Sequence, residues 1–165
     1  MRDRIWAELT QAKFNAEYLS LYQERQKKLL NIAYIIILAF STSGIMGWAI
    51  WKNFPLMSCI IVSAVSFVRL VLPQFVMNEK TLSKLDKVHI FYCNFFNQLE
   101  KLWYQAEEKE IDDKCIRENF FLIINEEIEI NKILNELTIR KPKKLVNQAK
   151  IYSDEYFKKV YNLNW

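Results

Sequence analysis

The sequence predicts an all-α membrane protein, a two-helix transmembrane hairpin attached to a cytoplasmic helical bundle. Three observations point there. Between residues 29 and 78 the only Lys, Arg, Asp or Glu residues are Lys52 and Arg69, although 25% of the 165-residue chain is charged. Such segregation separates a lipid-soluble part from a water-soluble part. Two glycines and three prolines in all argue against β-hairpins, Gly-rich phosphate loops and long flexible linkers. Outside the apolar block, hydrophobic residues recur at the three-and-four spacing of a helix.

Residues 1–28 form the first expected element, a cytoplasmic helix over about 3–28 whose apolar face is Ile5, Leu9, Ala12, Ala16 and Leu19. The hairpin follows over residues 29–77. Its two runs, 29–51 and 54–77, are each long enough to cross a hydrocarbon core of ~30 Å at ~1.5 Å per residue. Only Lys52 and Asn53 separate them, so the chain must turn back tightly. Trp48, Trp51 and Phe54 form an aromatic belt at one interface. Pro55 falls in the first turn of the second helix, where its missing N–H costs nothing. A cleavable signal peptide fits poorly, because the first apolar run is long and follows 28 mixed and charged residues. Arg25, Lys27 and Lys28 precede the hairpin and Lys80, Lys84 and Lys87 follow it, against Lys52 alone in the turn. The positive-inside rule then puts both termini in the cytoplasm. Cys59, Cys93 and Cys115 are too few and too scattered for a disulfide framework, and reduced thiols are expected.

The second run carries a polar stripe. At 100° per residue, Ser58, Cys59, Ser63, Ser66, Arg69, Pro73 and Gln74 fall within one arc of about 160°. In lipid, such a stripe needs protein or water to face. Ser58, Ser63, Ser66, Arg69 and Gln74 are therefore candidate pore-lining residues. Ser41, Gly44 and Gly47 on the first run recur every third residue, small enough for close helix packing. Arg69 has two open fates, snorkelling to the cytoplasmic headgroups or facing a water-lined interior. Neither run contains an acidic residue. An inward Arg69 therefore requires several copies around water or anions: a homo-oligomer, a tetramer or similar, biased toward anions.

Residues 78–165 are expected to be helical and cytoplasmic. No glycine or proline occurs from residue 76 to 141, and Leu82, Leu85, His89, Tyr92, Phe96, Leu99, Trp103 and Ala106 form an a/d seam that Thr81 would cap. A turn is expected in the EEKEIDD stretch, with Asp112 or Asp113 capping the next helix; an unbroken helix would run ~90 Å. That next helix presents Ile116, Phe120, Ile123, Ile124, Ile128, Ile130, Leu134 and Leu137. Beyond Pro142 a last helix carries Leu145, Ala149, Tyr152, Tyr156, Val160 and Leu163.

Reactive chemistry is not found. The single histidine, His89, sits on an apolar seam and reads as structural. The cysteines lack metal-site spacing, so neither metal nor cofactor is expected. No phosphate loop or nucleophile elbow occurs, and no catalytic residue is assigned. Glu126, Glu127 and Glu129 read as a solvated face. The one ligand-like feature is the basic cluster Arg140, Lys141, Lys143, Lys144 and Lys150. With Tyr152 and Tyr156 nearby, it suits phosphates and stacked bases of a nucleotide or oligonucleotide. A solvated face or contact with anionic lipid is the simpler explanation of it.

The RQKKLLNIAYIIILAFSTSG approach to the first run, the short WKNFP turn and the YCNFFNQLEKLWYQAEE helix resemble the SLATT family, along nearly the whole chain. These are small two-span membrane proteins of bacterial antiphage and conflict systems. The resemblance implies an effector in the bacterial inner membrane that assembles into a pore. It implies control by a nucleotide-type signal from a nucleotide-synthesising partner enzyme, with opening that disrupts the membrane or arrests growth. The chain departs from larger two-span effectors in lacking a soluble sensor domain, so its own helices or a partner must read the signal. A competing reading is a non-conducting membrane adaptor that recruits a soluble partner through its cytoplasmic helices.

Overall fold

The computed structural model describes residues 1–46, 56, 60, 63–67, 70–71, 77–137 and 141–162, with side chains of 40–46 excepted. Regular structure among them is helical throughout. Four helices follow in order: α1 (Arg2–Met46), α2 (Glu79–Glu107), α3 (Asp113–Glu136) and α4 (Lys143–Tyr161). The chain divides into two compact units, one of Met1–Gln23 with Ser83–Trp165 and the other of Glu24–Leu82.

Four helical segments share the core of the first unit. From α1 come Ile5, Leu9, Ala12, Ala16 and Leu19, all buried as their spacing predicts. From α2 come Leu85, Val88, Tyr92, Phe95, Phe96, Leu99, Leu102 and Ala106. That face is wider than the expected seam: Val88, Phe95 and Leu102 join it, while Leu82, His89 and Trp103 are only half-buried. Helix α3 adds Ile116, Phe120 and Ile130, and α4 adds Ala149, Ser153 and Phe157. Fully buried side chains such as Ile5, Leu9, Leu99 and Phe120 stabilise the fold by roughly 1.5–3 kcal/mol each through removal from water.

The α2–α3 turn falls in the acidic stretch. Glu108 N–H donates to Tyr104 O at 2.9 Å and Glu110 N–H to Gln105 O at 3.1 Å, with Lys109 left-handed at φ 55° between them. These bonds satisfy carbonyls that the end of α2 would otherwise leave open. Asp112 then caps α3, its carboxylate accepting from Lys114 N–H at 3.4 Å.

Three expectations are corrected. The N-terminal helix does not end at residue 28 but continues to Met46, because no glycine, proline or capping residue interrupts the chain there. Asn78, not Thr81, caps α2: its side-chain oxygen accepts from Thr81 N–H at 2.8 Å, the geometry of an N-cap and its third residue. On α4 the buried stripe is Ala149, Ser153 and Phe157, whereas Tyr152 and Val160 are exposed and Leu163 lies outside the described residues. The stripe turned by one position because Phe157 has the larger aromatic partners, described below.

In the second unit, Met77 N–H donates to Gln26 Oε1 at 3.4 Å. Among the described residues, no helix is long and apolar enough to cross a membrane. Much of both apolar runs, 29–51 and 54–77, lies outside the described residues, as do the Lys52–Asn53 turn, Ser58, Arg69, Gln74 and Gly47. Of the candidate pore and packing residues, Ser63 and Ser66 are helical and exposed, and Ser41 and Gly44 lie in the α1 backbone.

Candidate functional site

Helix α4 places the basic cluster. Pro142 precedes it with fixed φ, so it opens the helix, and Leu145 and Val146 N–H both donate to its carbonyl at 3.0 and 3.2 Å. Asn162 closes the helix in the left-handed region at φ 51°, a conformation asparagine tolerates.

An aromatic and carboxylate clasp holds α4 against α1 and α2. Phe157 lies edge-on to Trp6 at 5.3 Å, and Tyr161 meets Trp6 and Trp103 edge-on at 5.0 and 5.1 Å. Beneath them, Glu100 Oε1 accepts from both the Tyr156 and Tyr161 hydroxyls, at 2.8 and 2.9 Å. Burial first, and then the Glu100 carboxylate, push both phenols well above their ordinary range. Lys13 Nζ completes the clasp, 4.1 Å from the Tyr156 ring centre and 2.9 Å from Glu17.

Two cavities adjoin α4 and share Phe14 and Val146. The first, about 390 Å³, is lined by Trp6, Thr10, Gln11, Phe14, Val146, Lys150, Ser153, Asp154 and Phe157. Aromatic faces, an amide, two hydroxyls, a cation and a carboxylate therefore meet in one space. That mixture suits a planar heterocycle stacked on a ring, with hydrogen-bonding edges and one anionic group near Lys150. The second cavity, about 410 Å³, is lined by Phe14, Asn15, Tyr18, Leu19, Tyr92, Leu134, Leu137, Lys141 and Val146.

The basic cluster thus divides. Lys150 lines the first cavity and Lys141 the second, while Lys143 and Lys144 are exposed and line neither. Arg140 lies outside the described residues. The sequence reading missed Trp6, Phe14 and Asp154. Trp6, Thr10 and Phe14 follow every fourth residue on α1, a spacing that already put them on one face.

His89 and Cys93 line a third cavity of about 310 Å³ with Lys13, Glu17 and Tyr156. The His89 Nε2 lies 3.5 Å from Cys93 Sγ, and burial raises the thiol above its ordinary pKa. A thiol so held stays protonated at neutral pH and is a poor nucleophile. No group of three or more metal-ligand side chains occurs among the described residues. The glutamate run is not simply solvated: Glu127 accepts from the Tyr92 hydroxyl at 3.0 Å, and Glu126 from Gln98 at 3.4 Å. Comparison with known proteins returns no matching family model, no matching curated protein and no matching solved structure.

Proposed function

We propose that the chain is the subunit of an oligomeric pore in the bacterial inner membrane, an antiphage effector whose cytoplasmic helices respond to a nucleotide or oligonucleotide. The carrying observation is the apolar exposure of the second unit. Ile35 and Leu38 are each 65% exposed, Leu56 74%, Phe67 67% and Leu70 75%, with Ile32, Tyr34 and Ile60 also above half. Each such side chain left in water forgoes roughly 1.5–3 kcal/mol of burial. A soluble monomer rarely exposes apolar residues in this density, and lipid contact removes the penalty. Arg69 is the only Lys, Arg, Asp or Glu within residues 29–51 and 54–77, a composition that supports a spanning hairpin with Arg69 in the polar stripe and both termini cytoplasmic.

The similarity to SLATT proteins supports the effector role and a nucleotide-synthesising partner enzyme. The first cavity, with Trp6 and Phe157 for stacking and Lys150 for an anion, supports the signal class. The adaptor reading is favoured by a different feature, the exposed Phe121, Leu122 and Ile128 of α3, which suit a soluble partner.

Conductance separates the two. The purified chain in planar bilayers should give discrete, anion-preferring current steps, and Arg69→Glu should reverse or abolish the selectivity. Unchanged selectivity would remove Arg69 from the conduction path. A chain that remains monomeric and non-conducting in lipid would leave the adaptor.

A further inference from the structure

We propose that the second cavity, between α1, α3 and α4, is a binding site for a single-chain amphipathic anion of the long-chain carboxylate class. Its walls are mostly hydrocarbon: Phe14, Leu19, Leu134, Leu137 and Val146. Two of its polar groups are already engaged. Asn15 Oδ1 accepts from Gln11 Nε2 at 3.0 Å, and the Tyr92 hydroxyl donates to Glu127 at 3.0 Å. Burial holds the Tyr92 phenol protonated, so its proton stays committed to that carboxylate. A nucleobase placed here would find few groups for its hydrogen-bonding edge, which is costly in an apolar site. A methylene chain asks for no partner, and its affinity grows with each carbon buried.

One end differs from the rest. Lys141 is the only charged side chain among the described residues lining this cavity. It is exposed at the surface, where an ammonium can meet a carboxylate without either being stripped of water. The volume of about 410 Å³ lies within the usual range for small-molecule sites. The neighbouring cavity shares Phe14 and Val146 but carries Gln11, Ser153, Asp154 and Lys150, a set suited to a polar ligand. The proposal does not depend on conduction and stands if the chain is only an adaptor.

The test uses the full chain in lipid nanodiscs and dodecanoate bearing a terminal diazirine. Photolabelling followed by peptide mapping should place the adduct on α3 or α4 near Leu134, Leu137 or Val146. Unlabelled dodecanoate should compete better than octanoate, and better than dodecanol by about two- to fivefold, the ordinary worth of one exposed ion pair. Lys141→Gln should erase the preference for the acid over the alcohol while leaving the dependence on chain length. Leu134→Trp, which fills the cavity, should abolish labelling with the helical circular dichroism retained. Label confined to residues 29–77, as simple partition into the bilayer gives, overturns the proposal. So does labelling that excess dodecanoate leaves unchanged, or that an adenine nucleotide blocks where dodecanoate does not.

Discussion

Removing the Glu100 carboxylate tests how the last helix is held. Its Oε1 takes two hydrogen bonds, from Tyr156 at 2.8 Å and Tyr161 at 2.9 Å. A buried hydrogen bond to a charged partner contributes ~1.5–3 kcal/mol. All three residues are half-exposed, so water recovers part of that and about 1 kcal/mol per bond remains. Glu100→Ala should therefore cost about 2 kcal/mol, a fall of roughly 4–8 °C in Tm for a chain of this size. Tyr156→Phe and Tyr161→Phe should each cost about half as much, since each leaves one bond intact.

The decisive comparison is a cycle. In the background of both phenylalanines, Glu100→Ala has no phenol to disappoint and should cost under ~0.5 kcal/mol. Thermal and guanidinium unfolding of the chain in nanodiscs, followed by circular dichroism and tryptophan emission, gives the numbers. The emission is informative because Trp6 and Trp103 both touch the Tyr161 ring. Equal costs of Glu100→Ala in the two backgrounds would refute the clasp and show that the carboxylate acts elsewhere.

Other consequences reach beyond the last helix. Phe120, fully buried, should cost ~3–5 kcal/mol on truncation to Ala, against ~0.5 kcal/mol or less for the exposed Leu122→Ala; denaturant midpoints compare them. Tyr92, Tyr156 and Tyr161 have phenol pKa values raised first by burial and then by carboxylates, so the folded state binds their protons more tightly than the unfolded chain. Their contribution is complete below the unfolded pKa of about 10 and is lost as pH rises through the folded values. Tyrosinate absorbance from these three phenols, read as the difference from a variant with phenylalanine at all three, should thus appear together with unfolding, above about pH 10. For the first cavity, Lys150→Glu should weaken binding of a fluorescent adenine nucleotide about tenfold. Lys144→Glu, on the exposed side, should change it little; equal losses from both would reassign the effect to general surface charge.

The fold was legible where periodicity and side-chain size agreed. On α1 the five spaced apolar residues from Ile5 to Leu19 are all buried, because each is apolar and helical spacing brings them to one face. The acidic break before α3 was legible for a similar reason: it combines loss of apolar spacing with a capping aspartate. On α4 the signals conflict. Tyr152 and Tyr156 pair with Leu145 at helical spacing, but Phe157 packs on Trp6, with the small Ser153 and Ala149 buried on the same face. Spacing alone cannot rank two aromatic stripes on one helix. Partner rings elsewhere in the chain decide between them.

The same limit governs the candidate site. A run of lysines specifies charge, but direction depends on the helix it enters. Taking Val146 as the cavity-facing reference, Lys150 lies about 40° round α4 and Phe157 about 20°, whereas Lys144 lies about 160° away. Lys144 thus stands apart from the cavity wall despite its proximity in sequence, and Lys143 is exposed in the first turn. Lys141 reaches its cavity from before the helix, where Pro142 fixes the approach of the chain. On the proposed reading, the lysines would draw an anion to this end of the bundle, and the remaining wall residues would select between ligands. Trp6, Gln11 and Ser153 form one wall set; Leu19, Leu134 and Leu137 form the other. Each cavity carries one lysine, but the first adds the Asp154 carboxylate, so a purely anionic ligand would be favoured by the second and one with hydrogen-bond donors by the first.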